Sequence, residues 1–297
     1  MKTTLAICVL AIAGTAPAQA QRDFSKVEIK TTKLAGSVSM LEGAGGNIGV
    51  SAGPDGILIV DDQFAPLSDK IRAALEKLGP GGRVRIVLNT HWHGDHTGGN
   101  AAFGRDGTIV AQENVRARLA TGQKRDDEVL SPVPREALPI VTFADAVSVH
   151  FNGEEIRVVH YPRGHTDGDS VVFFTGSNVV HMGDLFFHTH GFPFVDLDSG
   201  GDVAGYAKDV EQVLSRIQPG AKIIPGHGGL ATVDDLRTFH RMLVSSIDTV
   251  RAGIAKGWTL EQIKKAGLPD EWKDWGAGFL STDTWIEVVH RSLTQKP

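Results

Sequence analysis

Six consecutive residues, His91-Trp92-His93-Gly94-Asp95-His96, constrain this chain more than any other stretch. They place three imidazoles and a carboxylate, the natural ligands of zinc and similar divalent cations, directly after the apolar run Arg83–Leu88. Such a run reads as a buried strand, so the polar cluster is expected where the backbone leaves a sheet. His91 and His93, two apart in extended chain, project to the same side and are placed to share one cation. Gly94 is expected to let the chain turn, so that Asp95 and His96 face a second cation nearby. Taken singly, each histidine reads as a polar turn residue. Crowded into one turn, they bring no structural gain.

Three later segments share one design: Gly164-His165-Thr166-Asp167-Gly168, Met182-Gly183-Asp184 and Pro225-Gly226-His227-Gly228. Each ends a β-like run, and each has glycine just before the candidate ligand, which lets backbone pass close to a crowded centre. A lone Gly-His or Gly-Asp is an ordinary turn. Three in order after the dense motif point to one shared site.

The surrounding pattern supplies the scaffold. β-like runs are expected at Val27–Thr32, Ser37–Leu41, Asn47–Ala52 and Ile57–Val60, the last two joined as a hairpin by Gly53-Pro54-Asp55-Gly56. A helix follows, with Leu67, Ile71, Ala74, Leu75 and Leu78 on one face and the stretch 79–82 ending it. Strands are expected again at Val147–Phe151, Ile156–Tyr161, Ser170–Phe174, Val179–Met182 and Ala221–Ile224. Helices are expected at Val203–Ile217, with Asp202 as N-cap, and at Val233–Ala255, Thr259–Lys265 and Thr282–Leu293. The polar segment Gly122–Arg135, with Pro132 and Pro134, reads as a surface loop. Strands with helices between and after them suit an α/β fold of two packed sheets with helices outside.

On these motifs the chain resembles the metallo-β-lactamase superfamily from about Leu41 to Gly229. The resemblance implies an αββα sandwich of two similar halves with the site at one edge between the sheets. It implies that His91, His93 and His165 hold a first cation, that Asp95, His96 and His227 hold a second, and that Asp184 bridges the two. The best-known zinc β-lactamases carry cysteine where Asp184 stands, whereas glyoxalase II and lactonases carry a carboxylate. The expected cofactor is therefore a pair of divalent cations, zinc first, with iron or manganese as harder alternatives. Asp95 is the candidate catalytic residue, orienting a water for attack on a carbonyl and passing its proton to the leaving group.

Further residues are read by position. Asp61, at the end of the run Ile57–Val60, is placed either to orient a ligand imidazole or simply to turn the chain. His188 and His190 are expected to line the pocket, and His181 to lie near a ligand. His150, His160, His240 and His290 read as surface or packing residues. The glycine-rich Gly43–Asn47 reads as a mobile loop over the site. The loop Gly191–Gly201, with Phe192 and Phe194, reads as a wall that shapes specificity, and Trp92 as packing beneath the site or lining it.

Residues 1–20 read as a signal peptide, from Lys2, the apolar Leu5 to Gly14, and the small-x-small end Ala18-Gln19-Ala20. The apolar run is well short of the ~20 residues a bilayer span needs. The expected mature chain is a single domain over 21–297 with C-terminal helices, periplasmic or secreted. Cys8 is the only cysteine and lies inside that leader, so the mature chain has no disulfide, thiolate nucleophile or thiolate ligand. A formal net charge of -5 gives no reason to expect nucleic acid or an anionic membrane as partner. A small-molecule substrate and a monomeric state are expected.

Three functions fit this reading. A β-lactamase-like hydrolase suits export, although Asp184 in place of cysteine implies weak or promiscuous turnover. A glyoxalase II-like thioesterase or a lactonase suits the carboxylate. Against the thioesterase, the stretch Leu185 to Gly191 lacks the cysteine and arginine that help glyoxalase II bind glutathione. A metal-carrying binding protein is the non-enzymatic alternative, opposed by the full ligand set, since structural sites are usually closed and mononuclear.

Overall fold

Along the strand Gly56–Val60, alternate side chains go to opposite faces, and both faces are apolar. That pattern requires cover on both sides, and the chain supplies it in four layers. The computed structural model describes residues 23–79, 82–125 and 128–295; the expected leader and the middle of the 79–82 stretch lie outside them.

The first sheet has seven strands: β1 (Lys30–Ala35), β2 (Val38–Glu42), β3 (Ile48–Gly53), β4 (Gly56–Val60), β5 (Val84–Leu88) and β6 (Thr108–Gln112), then, beyond the small hairpin β7 (Gln123–Arg125) and β8 (Glu128–Leu130), β9 (Val141–Phe143). The first four run antiparallel and the rest join in parallel. The second sheet is β10 (Ala146–Phe151), β11 (Glu154–His160), β12 (Ser170–Phe174), β13 (Val179–His181) and, after the short β14 (Phe187–His188), β15 (Lys222–Ile224). A last short strand, β16 (His227–Gly228), pairs with β14.

Between the sheets, Met40, Leu58 and Val60 meet Ile156, Val172 and Phe174. On the outer face of the first sheet, Ile57 and Ile59 pack on Ile71 and Leu75 of α1 (Ser68–Leu75) and on Leu67 just before it. Two single-turn helices follow, α2 (Gly94–Thr97) and α3 (Asn100–Phe103), then α4 (Glu113–Thr121). The second sheet's outer face lies under α5 (Val203–Arg216), α6 (Val233–Ala255), α7 (Leu260–Ala266) and α8 (Thr282–Thr294). The αββα sandwich inferred from sequence is the observed architecture.

Local chemistry explains the boundaries. The hairpin turn pairs Gly53 with Gly56. Asp202 caps α5 by accepting the Gly205 N–H, and Thr232 and Asp235 form a reciprocal capping box at α6. The first strand runs Lys30–Ala35 rather than Val27–Thr32, and the middle of the chain differs too. The segment 122–135 is not all loop, because Gln123 pairs with Leu130 in the β7–β8 hairpin. The stretch between Gly104 and Ala146 also holds β6, α4 and β9. Its helix has little apolar periodicity, since only Val115 and Leu119 are buried. No helix among the described residues is long and apolar enough to cross a membrane.

Candidate metal centre

Parallel neighbours in a sheet end at the same edge, and this topology uses that fact twice. β4 and β5 deliver Asp61 and the His91–His96 turn side by side, with the Asp61 N–H donating to Leu88 O. β13 and β15 deliver Asp184, in a turn over Gly183–Leu185, and His227. The loop after β11 brings His165. All seven candidates meet: His91, His93, His165 and Asp184 form one group, and Asp95, His96 and His227 another, each with ligand atoms within 4.8 Å of one another.

In the first group, His91 Nε2 lies 3.1 Å from His93 Nδ1, which lies 2.8 Å from His165 Nε2. In the second, Asp95 Oδ2 is 3.3 Å from His227 Nε2 and 3.8 Å from His96 Nε2. Asp184 spans both. Its Oδ1 is 3.1 Å from His96 Nε2 and 3.4 Å from His227 Nε2, and its Oδ2 is 3.4 Å from His165 Nε2 and 3.8 Å from His91 Nε2.

The outer ring nitrogens decide what the inner ones are. His93 Nε2 donates to Asp196 Oδ2 at 2.9 Å, His165 Nδ1 to Phe194 O at 2.8 Å, and His96 Nδ1 to Asp61 Oδ2 at 2.7 Å. The Thr90 hydroxyl gives its proton to Asp61 Oδ2 at 2.7 Å, so at 3.1 Å it accepts from His91 Nδ1. In its neutral form each ring would then turn a lone pair inward. Lone pairs 2.8 to 3.1 Å apart repel unless a cation or proton lies between them. Asp184 Oδ1 is buried with no hydrogen bond, although imidazole nitrogens surround it. Lone pairs and an unpartnered carboxylate oxygen facing one another are a donor set for divalent cations, so the residues fit the metals that the sequence implies.

The electrostatics divide the rings and favour positive charge beside Asp184 and Asp95. Burial keeps His91 neutral and pushes His165 down to about 4. Burial would also lower His96 and His227, but Asp184 and Asp95 override it, raising His96 well above its ordinary value and His227 to about 9. Burial opposes ionisation of Asp184, yet His96, His227, His165 and His91 hold its carboxyl far below the usual range. Asp95 is lowered in the same way, by His96 and His227 against burial.

The surroundings match the sequence reading unevenly. Asp61, at φ 63°, accepts from Thr90 N, Thr90 Oγ1 and His96 Nδ1, which makes it the expected orienting residue. Trp92 is buried against Val115 and Leu119, beneath the site. Phe194 lies over His93 and His165, with ring centres 6.0 and 5.8 Å away. Phe192 lines nothing, being buried and stacked on Trp285. Gly43–Asn47 is pinned rather than loose. Gly46 N donates to Asp95 O, Gln63 Nε2 to Gly46 O, and Asn47 N to Gly226 O. Its glycine is explained by approach, since a Cβ on Gly46 would lie 2.1 Å from the His96 ring. Gly94 needs no such freedom: a Cβ there meets nothing within 4 Å.

His181 touches no candidate ligand in these contacts. It accepts the Gly183 N–H and donates to Asn47 O, tying the Asp184 turn to the first half. His188 donates to Gly229 O, and neither it nor His190 joins a ligand group. His160 donates to Asp169 O at the edge of the second sheet. Sequence reasoning missed Asp196, Thr90 and Phe187. The Phe187 ring lies flat on His227 at 5.2 Å. An aspartate in a glycine-rich loop and a threonine before a histidine carry no pattern that would mark them.

A profile of the metallo-beta-lactamase superfamily matches residues 41–227, more than half of the chain. A hydroxyacylglutathione hydrolase of Nitrosococcus oceani is 31% identical over 149 residues, covering 50% of this chain and 49% of its own. A metallo-beta-lactamase type 2 of Bacteroides fragilis is 24% identical over 146 residues, covering 49% of this chain and 54% of its own. The chain thus spans about half the length of these curated relatives. A metallo-beta-lactamase structure from Pontibacter korlensis superposes with a TM-score of 0.60 at 18% identity, over 73% of this chain and 99% of that one, and shares the fold.

Proposed function

Because the chain belongs to the metallo-β-lactamase superfamily, we propose that it is an exported, monomeric hydrolase that holds two zinc ions and cleaves a small carbonyl substrate, a β-lactam amide first. His91, His93 and His165 would hold the first cation and Asp95, His96 and His227 the second, with Asp184 between the two sets. The observation that carries this reading is the Asp184 carboxylate, with one oxygen toward each imidazole set and Oδ1 free of hydrogen bonds. When bound, divalent cations would supply Lewis acidity, polarising a carbonyl and lowering the pKa of a water.

The protein's own groups do the rest. Asp95 and His227 have side chains 28% and 25% exposed, whereas His91, His93 and His165 are buried, so substrate enters on the Asp95 side. Asp95 stays ionised, held so by His96 and His227, and its carboxylate is placed to take a proton from the attacking water and return it to the departing atom. Phe187, flat on His227, and Phe194, over His93 and His165, give the substrate an aromatic wall and exclude water.

A second reading, a thioester or lactone hydrolase on the same centre, is favoured by the carboxylate at 184 and by the likeness to the Nitrosococcus oceani hydrolase. A chromogenic cephalosporin, S-lactoylglutathione and an acyl-homoserine lactone, offered to enzyme of measured zinc content, separate the two. Cephalosporin turnover that is lost in His93→Ala supports the first. Turnover of the thioester or lactone alone transfers the assignment to the second. No turnover of any of the three by fully loaded enzyme overturns both.

A further inference from the structure

Each imidazole set has one ring backed by a carboxylate: His96 by Asp61 in the second, and His93 by Asp196 in the first. Asp61 sits at the end of a core strand. Asp196 sits in a loop, and the loop is built to hold it. Its Oδ2 is 2.9 Å from His93 Nε2, and its Oδ1 accepts the Ser199 N–H. Its own N–H donates to His165 O, and its carbonyl accepts the Gly201 N–H. Gly201 is confined there, because a Cβ would lie 2.5 Å from His165 O. Two residues earlier, Phe194 O receives His165 Nδ1. One short segment therefore grips two of the three rings of the first set by their outer nitrogens.

The C-terminal helix fixes that segment from behind. Phe192 stacks on Trp285 at 5.6 Å, Ser292 Oγ receives the Val203 N–H and donates to Asp202 Oδ2, and Arg291 pairs with Asp198. These α8 residues lie beyond the stretch that matches the superfamily profile.

We propose that Asp196 is a positioning residue for the first cation site: acting through His93, it fixes the tautomer that turns the Nδ1 lone pair inward and makes that nitrogen a stronger donor. The inference rests on the two-cation reading. A neutral acceptor at 196 keeps the hydrogen bond and removes the charge, so the loss falls on affinity rather than on folding.

The test is zinc titration of the full chain, freed of metal by a chelator, against a competing chelator, with melting of the metal-free protein alongside. Asp196→Asn is expected to weaken one of two zinc affinities by about 10- to 100-fold and leave the other unchanged. The weakened affinity is the one that His165→Ala abolishes, and Asp196→Asn adds nothing further in a His93→Ala background. Should Asp196→Asn fail to fold, Asp196→Ser repeats the comparison. Unchanged affinities, or an equal fall in both that tracks a lower melting temperature, overturn the proposal and leave Asp196 a purely structural residue. A wild-type protein that binds no zinc overturns the two-cation reading itself and takes this proposal with it, an outcome visible before any variant is made.

Discussion

Replacing Gly46 with alanine tests the site's close packing most sharply. The added Cβ would lie 2.1, 2.5 and 2.6 Å from three atoms of the His96 ring. That ring cannot retreat, because it is fully buried and its Nδ1 is tied to Asp61 at 2.7 Å. If the loop moves instead, it strains or breaks Gly46 N to Asp95 O at 3.0 Å and Gln63 Nε2 to Gly46 O at 2.7 Å. Overpacking costs about 1–3 kcal/mol, and each buried hydrogen bond lost costs about 1 kcal/mol. A total of about 2–4 kcal/mol lowers the melting temperature by roughly 5–10 °C in a chain of this size. Gly94→Ala, in the same turn but with open space around its Cβ, changes stability by less than about 0.5 kcal/mol. Calorimetry of both variants with and without zinc reads the contrast. A Gly46→Ala protein that melts with the wild type, or a Gly94→Ala protein that melts lower, refutes the packing argument.

Ser246→Ala leaves the buried Trp285 Nε1–H, now 2.9 Å from Ser246 Oγ, without an acceptor, and denaturant unfolding should report a loss of about 1–3 kcal/mol. Burial raises Asp209 to about 6 from an ordinary value of 3.8. The native state thus favours the protonated acid, and this stabilisation is full below the ordinary value and lost as pH rises through about 6. Asp209→Asn is therefore expected to be more stable than the wild type at pH 8, by on the order of 2 kcal/mol, and no more stable at pH 4, in paired urea titrations. Chelation should abolish hydrolysis and lower the melting temperature, and zinc at about 100-fold over its Kd restores about 2.7 kcal/mol per independent site. Melting that is indifferent to zinc contradicts this.

Much of the architecture was legible because strands buried on both faces read as apolar runs, as at Gly56–Val60, and because a capped helix declares its start, as Asp202 does. The candidate ligands were legible because histidine and aspartate after glycine at strand ends form a chemical pattern. What lies behind them was not. Asp61 was marked by its place at the end of β4, but Asp196 contacts His93 across 103 positions of sequence, and only the folded loop brings the two together. The glycines misled in a consistent way. Gly46 reads as mobility and is in fact contact, while Gly94 reads as a forced turn and is unstrained. Composition cannot separate a glycine that frees the backbone from one that makes room for a neighbour.

Diffraction from zinc-loaded crystals, with anomalous data at the zinc edge, tests the central claim most directly. The account predicts two peaks, one bonded to His91 Nε2, His93 Nδ1 and His165 Nε2, the other to Asp95, His96 and His227, with Asp184 touching both. A single peak, or zinc bound away from these side chains, contradicts it.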